Sequence, residues 1–242
     1  MSDKFFSKIS GNDVMTYEGA MQKIGILLGF TVISALVTSA YSLTALENGN
    51  IGLLSELALG GVICGFILAL VIYKTRPKNP APLMLTYAIV EGVFIGAMST
   101  VMEYFYEGIV IQAILGTLAI FISMYFLYSI KVLRPTPTFN KIVTSLTASI
   151  MILYLISFVI GLATPYQMPL LHSSSPLGIG FTVCILVVAA LNLIMDFGFI
   201  ERSVQSRTPK VGEWWGAFGM LITLIWIYIE VLRLLMKLRS RN

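Results

Sequence analysis

Seven long apolar runs dominate the hydrophobic pattern of the chain, at residues 21–43, 51–73, 83–103, 108–130, 142–164, 177–200 and 214–236. A helix rising about 1.5 Å per residue needs about 20 mainly apolar residues to cross the hydrocarbon of a bilayer. Each run reaches that length. The breaks between them carry turn chemistry: "ENGN" (47–50), "KTRPKNPAP" (74–82), "EYFYEG" (103–108), "RPTPTFNK" (134–141), "TPYQMPLLHSSSP" (164–176) and "ERSVQSRTPKVGE" (201–213) are polar or rich in Gly and Pro. Closely spaced spans with short connections predict an all-α membrane protein, a single seven-transmembrane-helix bundle. Residues 1–20 form an N-terminal segment, 21–236 the transmembrane domain and 237–242 a basic C-terminal tail.

Composition agrees with the pattern. Of 242 residues 57% are hydrophobic and 12% charged, where a soluble domain carries roughly 25% charged residues. One aqueous core cannot hide so many apolar side chains, so the lipid bilayer is the first partner. The net charge of +4 comes from basic loops and does not point to nucleic acid. Lys74, Arg76 and Lys78, then Lys131, Arg134 and Lys141, then Arg202, Arg207 and Lys210 occupy every second loop, and the alternate loops hold no Lys or Arg. Positive charge collects on the cytoplasmic side. The N-terminus, with Lys4 and Lys8, is therefore expected in the cytoplasm, with the chain in the cell membrane. Seven crossings place Lys237, Arg239 and Arg241 outside, against the charge rule. Either the last segment crosses despite its tail, or it dips in and returns. Cys64 and Cys184 lie inside apolar runs and read as small buried hydrophobes. The run after Lys23 is too long for a signal peptide and is expected to remain as the first span.

Within the spans the informative residues are acids, because a mid-span carboxylate costs at least about 2.5–3.5 kcal/mol on insertion scales. Glu230 interrupts "LIWIYIEVLRLL" (224–235). Its helical face carries Gly216, Gly219, Thr223 and Ile227, which points it at protein rather than lipid. Arg233, one turn on, is a second candidate partner. Asp196 in "LNLIMDFGFIE" shares a face with Asn192, four residues earlier. The two read as a polar seam, or Asp196 as a hydrated residue near its helix end. Glu91 in "YAIVEGVFIGAMS" precedes a small-residue stripe of Gly92, Gly96 and Ser99. It reads as a buried hydrogen-bond hub or as an ion ligand.

Other chemistry is sparse. His172 is the only histidine and falls in a loop on the outer side. No zinc spacing, Ser–His dyad, P-loop or Rossmann glycine pattern occurs, so neither an enzyme nor a cofactor is expected. Trp214 and Trp215 read as an interfacial belt.

"LNLIMDFGFIE" closing the sixth span, "EWWGAFGMLITLIWIYIEVLRLL" as the seventh, the opening "VMTYEGAMQKIGILL" and the third-span "YAIVEGVFIGAMS" resemble the transmembrane Bax inhibitor motif family, in its bacterial YccA-like branch. The resemblance covers nearly the whole chain. It implies a seven-helix bundle with the seventh helix central. It also implies two acids, on helices six and seven, that share a proton and gate a pH-sensitive calcium leak. Asp196 matches the first acid and Glu230 falls where the second belongs, with Ca²⁺ or another cation as the transported ion and no resident metal. A basic latch at the end of the second helix is implied too. Lys74 is its nearest match, with a single ammonium where an Arg fork is usual. Glu230 lies fifteen residues beyond Trp215, about 22 Å along a helix, while Asp196 is close to its own polar loop. For the acids to meet, helix six must continue well past Ile200, or helix seven must tilt or start deep.

Two further readings stand beside the channel. One is a non-conducting interaction protein that docks on a membrane protease or another stress component. The other is a solute or proton-coupled transporter, for which no discontinuous helix pair is evident. No feature of the sequence sets an oligomeric state.

Overall fold

The computed structural model describes residues 13–49, 51–164, 168, 171 and 173–241. Lys4, Lys8 and His172 lie outside the described residues. Seven helices account for nearly all of it: α1 (Tyr17–Glu47), α2 (Ile51–Thr75), α3 (Ala81–Phe105), α4 (Ile109–Ser129), α5 (Pro137–Ala163), α6 (Pro176–Gln205) and α7 (Gly212–Arg239). All seven are long and apolar enough to cross a membrane, as the seven runs predict. No β-strand forms among the described residues.

Six of the seven helices overrun their apolar windows at one end or both, and side-chain caps set two of the starts. Thr16 starts α1 by accepting the Gly19 amide at 2.9 Å. Thr136 starts α5 by accepting the Phe139 amide at 3.2 Å, with Pro137 in the first turn, where its missing N–H costs nothing. Helix α6 runs through Glu201–Gln205, residues whose polarity predicts loop. Three basic residues, Arg76, Lys131 and Arg207, adopt positive φ of 43°, 65° and 50° just past the ends of α2, α4 and α6. A left-handed residue closes a helix sharply, and a cation there complements the negative end of the helix dipole. The loops rich in Arg and Pro thus share a cap geometry as well as a charge.

The chain divides into two compact units, one of residues 1–107 and 199–221, the other of 108–198 and 222–242. In the first, α1 and α2 both pack chiefly on α3. A Cβ at Gly92 or Gly96 would collide with the backbone carbonyls of Thr31 or Ala35 on α1, so the small-residue stripe of α3 is where α1 comes closest. Ser34 donates to the Ile89 carbonyl at 2.8 Å, and Ser39 meets Thr100 at 2.8 Å across the same contact. The N-terminal strap joins this unit as well. Met15 N–H donates to Thr208 O at 2.7 Å and Lys210 N–H to Asp13 O at 3.0 Å, beside an isolated bridge of Val14 with Pro209.

In the second unit α7 runs antiparallel to α6. Residue 196 meets 223 and residue 182 meets 237, so each step along one helix is matched by an equal step back along the other. Ser240, past the end of α7, shares a 2.5 Å hydrogen bond with Ser174 of the α5–α6 connection. The 28-residue α7 is unbroken and about 42 Å long at 1.5 Å per residue. It is long and apolar enough to cross a membrane in one unbroken piece, and half of its apolar window is buried.

Candidate functional site on the seventh helix

Helix α7 carries its polar groups in one line. Gly216, Thr223, Glu230 and Lys237 recur every seven residues, close to two helical turns, so they share a face. Glu213 in the first turn and Lys237 and Arg239 in the last complement the helix dipole. Three polar contacts mark three depths along this face.

At the first level Thr223 donates its hydroxyl to Asp196 Oδ2 at 2.6 Å. Asp196 is partly buried and stands nine residues before the end of α6, about 13 Å inside it. The extension of α6 to Gln205 therefore removes Asp196 from the hydrated helix end that one sequence reading gave it. Asn192, one turn earlier, donates to Thr147 Oγ1 of α5 at 2.9 Å and to Val188 O at 2.8 Å. The expected polar seam of α6 thus has separate partners on α5 and α7. Phe197 beside it meets the rings of Phe121, Tyr125 and Tyr128 at 5.5–5.7 Å between centroids.

The second level holds Glu230, whose side chain is 1% exposed. Arg233 Nη1 donates to Oε1 at 2.9 Å and to Oε2 at 3.2 Å. Tyr154 of α5 donates its hydroxyl to Oε1 at 2.5 Å. The guanidinium also hydrogen-bonds the Tyr154 oxygen and lies 5.0 Å from the centre of its ring, a cation–π arrangement. Burying an ion pair is favourable only when hydrogen bonds satisfy the remaining lone pairs, and Tyr154 supplies one.

The third level holds Lys237. It is fully buried and donates to Gly178 O at 3.0 Å and Thr182 Oγ1 at 2.9 Å, near the start of α6. The sequence reading placed Lys237 in the basic C-terminal tail, 237–242. The structure keeps it in the helix and inside the protein.

The two acids do not pair in this conformation. Thr223 occupies Asp196, while Tyr154 and Arg233 occupy Glu230. Thr223 and Glu230 are seven residues apart, about 10 Å along the axis. The sequence reading of a proton-sharing pair differs from this geometry because the antiparallel register brings Thr223, and not Glu230, level with Asp196. Lys74 is exposed in the last turn of α2 and forms no ion pair among the described residues. Among those residues no three His, Cys, Asp or Glu side chains converge as a metal cage would require.

Glu91 is buried at 9% exposure on α3. Its carboxylate lies against Gly65 of α2, filling the place a Cβ would take. Tyr87, one turn earlier, stacks edge-on against Phe218 at 5.0 Å.

Tyr154, Thr182 and Lys237 escaped the reading of the sequence. The seven-residue period from Gly216 to Lys237 is the signal that could have found Lys237. Tyr154 stands seven residues after Thr147 on α5, the same period again. Glu213, read as loop, is also buried. It accepts from Thr16 N–H at 3.1 Å and Thr16 Oγ1 at 3.2 Å, and Lys23 lies 3.5 Å away.

Among curated proteins and solved structures nothing matches this chain. The family model described as Bax inhibitor 1 like matches residues 2–240, and with seven helices able to span a membrane the chain belongs to that Bax inhibitor family.

Proposed function

We propose that the protein is a pH-sensitive cation leak channel of the cell membrane, with calcium as its cargo, its N-terminus in the cytoplasm and its gate on α7. The observation that carries this reading is the Glu230 carboxylate, buried in a span and clasped by Arg233 and Tyr154. Charge inside a membrane is costly, and where it persists it marks ion paths and gates more often than architecture.

On this reading the acid is kept from a passing cation by its guanidinium partner, which shuts the path at this level. The clasp depends on the negative charge of Glu230. Arg233 remains a cation at any physiological pH, and a buried cation without its counter-charge is unstable by about 3–5 kcal/mol. Arg233 is already 25% exposed and six residues from the end of α7. Its long side chain can snorkel outward, leaving a neutral polar opening beside Tyr154. Removing the Glu230 charge is therefore expected to raise the leak. Asp196 of α6, held by Thr223 at its own depth, is a second acid facing α7 and the next oxygen ligand for a hard cation.

Calcium flux into liposomes holding the purified protein tests the proposal. Flux that changes with pH in the parent supports it. No flux at any pH sinks it and leaves the non-conducting interaction protein.

A further inference from the structure

At the opposite end of α7 from Lys237, lysines from three separate chain segments line one cleft. It has a volume of about 270 Å³ and is lined by Lys23 of α1, Lys78, Asn79 and Pro80 ahead of α3, and Lys210, Val211, Glu213 and Trp214 at the start of α7. Glu213 is the only acid in this lining, and it is already engaged by Thr16 and Lys23. Lys210 has a 3.4 Å pair with Asp13, both side chains more than half exposed, a contact that water screens to little net value. Lys78 has no ion pair among the described residues. No side chain caps the N-terminus of α3 at the lip of the cleft, so its positive dipole end adds to the field.

We propose that this cleft binds a phosphate group, as carried by the headgroup of an anionic phospholipid. The lysines provide the charge. Glu213 holds Lys23 in place, and Lys23 lies 5.9 Å from the ring of Trp214, which fixes its ammonium at the lip. The setting favours a lipid. The cleft sits where the apolar spans of α1, α3 and α7 meet their polar ends, and its apolar lining of Pro80, Val211 and Trp214 suits the glycerol and upper acyl region next to a headgroup. Tryptophan is enriched at that depth. A free phosphate would use the same lysines without the apolar wall.

The test is the thermal unfolding midpoint of the full chain in detergent at fixed ionic strength. Soluble short-chain phosphatidylglycerol, short-chain phosphatidylcholine and inorganic phosphate are added in turn. A ligand that binds the folded state raises the midpoint. Phosphatidylglycerol is expected to raise it by several degrees and phosphatidylcholine to leave it in place. Lys78→Gln/Lys210→Gln should abolish the rise. Lys131→Gln/Lys141→Gln, which removes equal charge from another loop, should keep it. Both cleft lysines are exposed, and Lys78→Gln alone, with no contact to lose, should halve the rise or more. An equal rise with inorganic phosphate assigns the site to free phosphate and leaves the binding chemistry standing. No rise with either anion, an undiminished rise in the cleft variant, or an equal loss in both double variants overturns the proposal.

Discussion

Arg233 reaches back one turn along α7 and places a single nitrogen within 3.2 Å of both carboxylate oxygens of Glu230. The pair is local in sequence and needs no neighbouring helix to form. What makes it a tertiary feature is Tyr154 of α5, which bonds to both members.

Removing one partner of this pair leaves the other uncompensated. Arg233→Met is expected to destabilise the protein by about 3–5 kcal/mol, read from unfolding in mixed micelles. Glu230→Gln/Arg233→Met should be less damaging than the sum of the single changes by about 0.5–3 kcal/mol. Strict additivity would mean that the two groups do not interact.

Tyr154→Phe keeps the ring and its stacking on Arg233 but deletes the hydroxyl. A hydrogen bond to a charged group contributes about 1.5–3 kcal/mol, and a loss in that range is expected. No loss would show that the hydroxyl is not engaged.

Asp196→Asn and Glu230→Gln act on separate clusters. Their effects on stability should add to within about 0.5 kcal/mol. A strongly sub-additive double variant would restore the proton-sharing pair and place the present contacts in another state of the bundle.

How much of this was legible beforehand follows from what sequence encodes directly. Hydropathy marks every span, because bilayer thickness fixes helix length, and Pro and Gly mark the connections. The apolar setting of Glu230 and Asp196 marks them as candidates. Arg233 was legible as a partner one turn from Glu230, but partners on other helices were less so, since register between α6 and α7 depends on where each helix begins, and α6 runs five residues past the apolar window, to Gln205. Lys237 looked like a tail residue because hydropathy cannot distinguish a solvated lysine from one that reaches a carbonyl such as Gly178 O. Glu213 looked like loop because its partner, Thr16, is 197 residues away.

Glu91 offers a test of packing. Gly65→Ala forces the Glu91 carboxylate, the far end of a flexible side chain, out of the space it fills and should cost about 0.5–1.5 kcal/mol. Shortening the acid, as in Gly65→Ala/Glu91→Ala, should recover part of that cost. If Gly65→Ala is silent, Glu91 does not rest on α2.

Topology is testable by labelling. With Cys64 and Cys184 replaced, single cysteines at Asn48 and Ser174 should react with an impermeant reagent from outside. One at Arg207 should react only after the membrane is opened. The reverse pattern would invert the orientation.

The most direct test of the central claim is calcium flux into liposomes, measured across pH for the parent and for Glu230→Gln. The glutamine removes the charge that holds Arg233, so its flux should be high and flat across the range, while the parent's is lower and changes with pH. A Glu230→Gln channel that stays closed at every pH, or that follows the parent's pH profile, would contradict a gate built on Glu230 and Arg233.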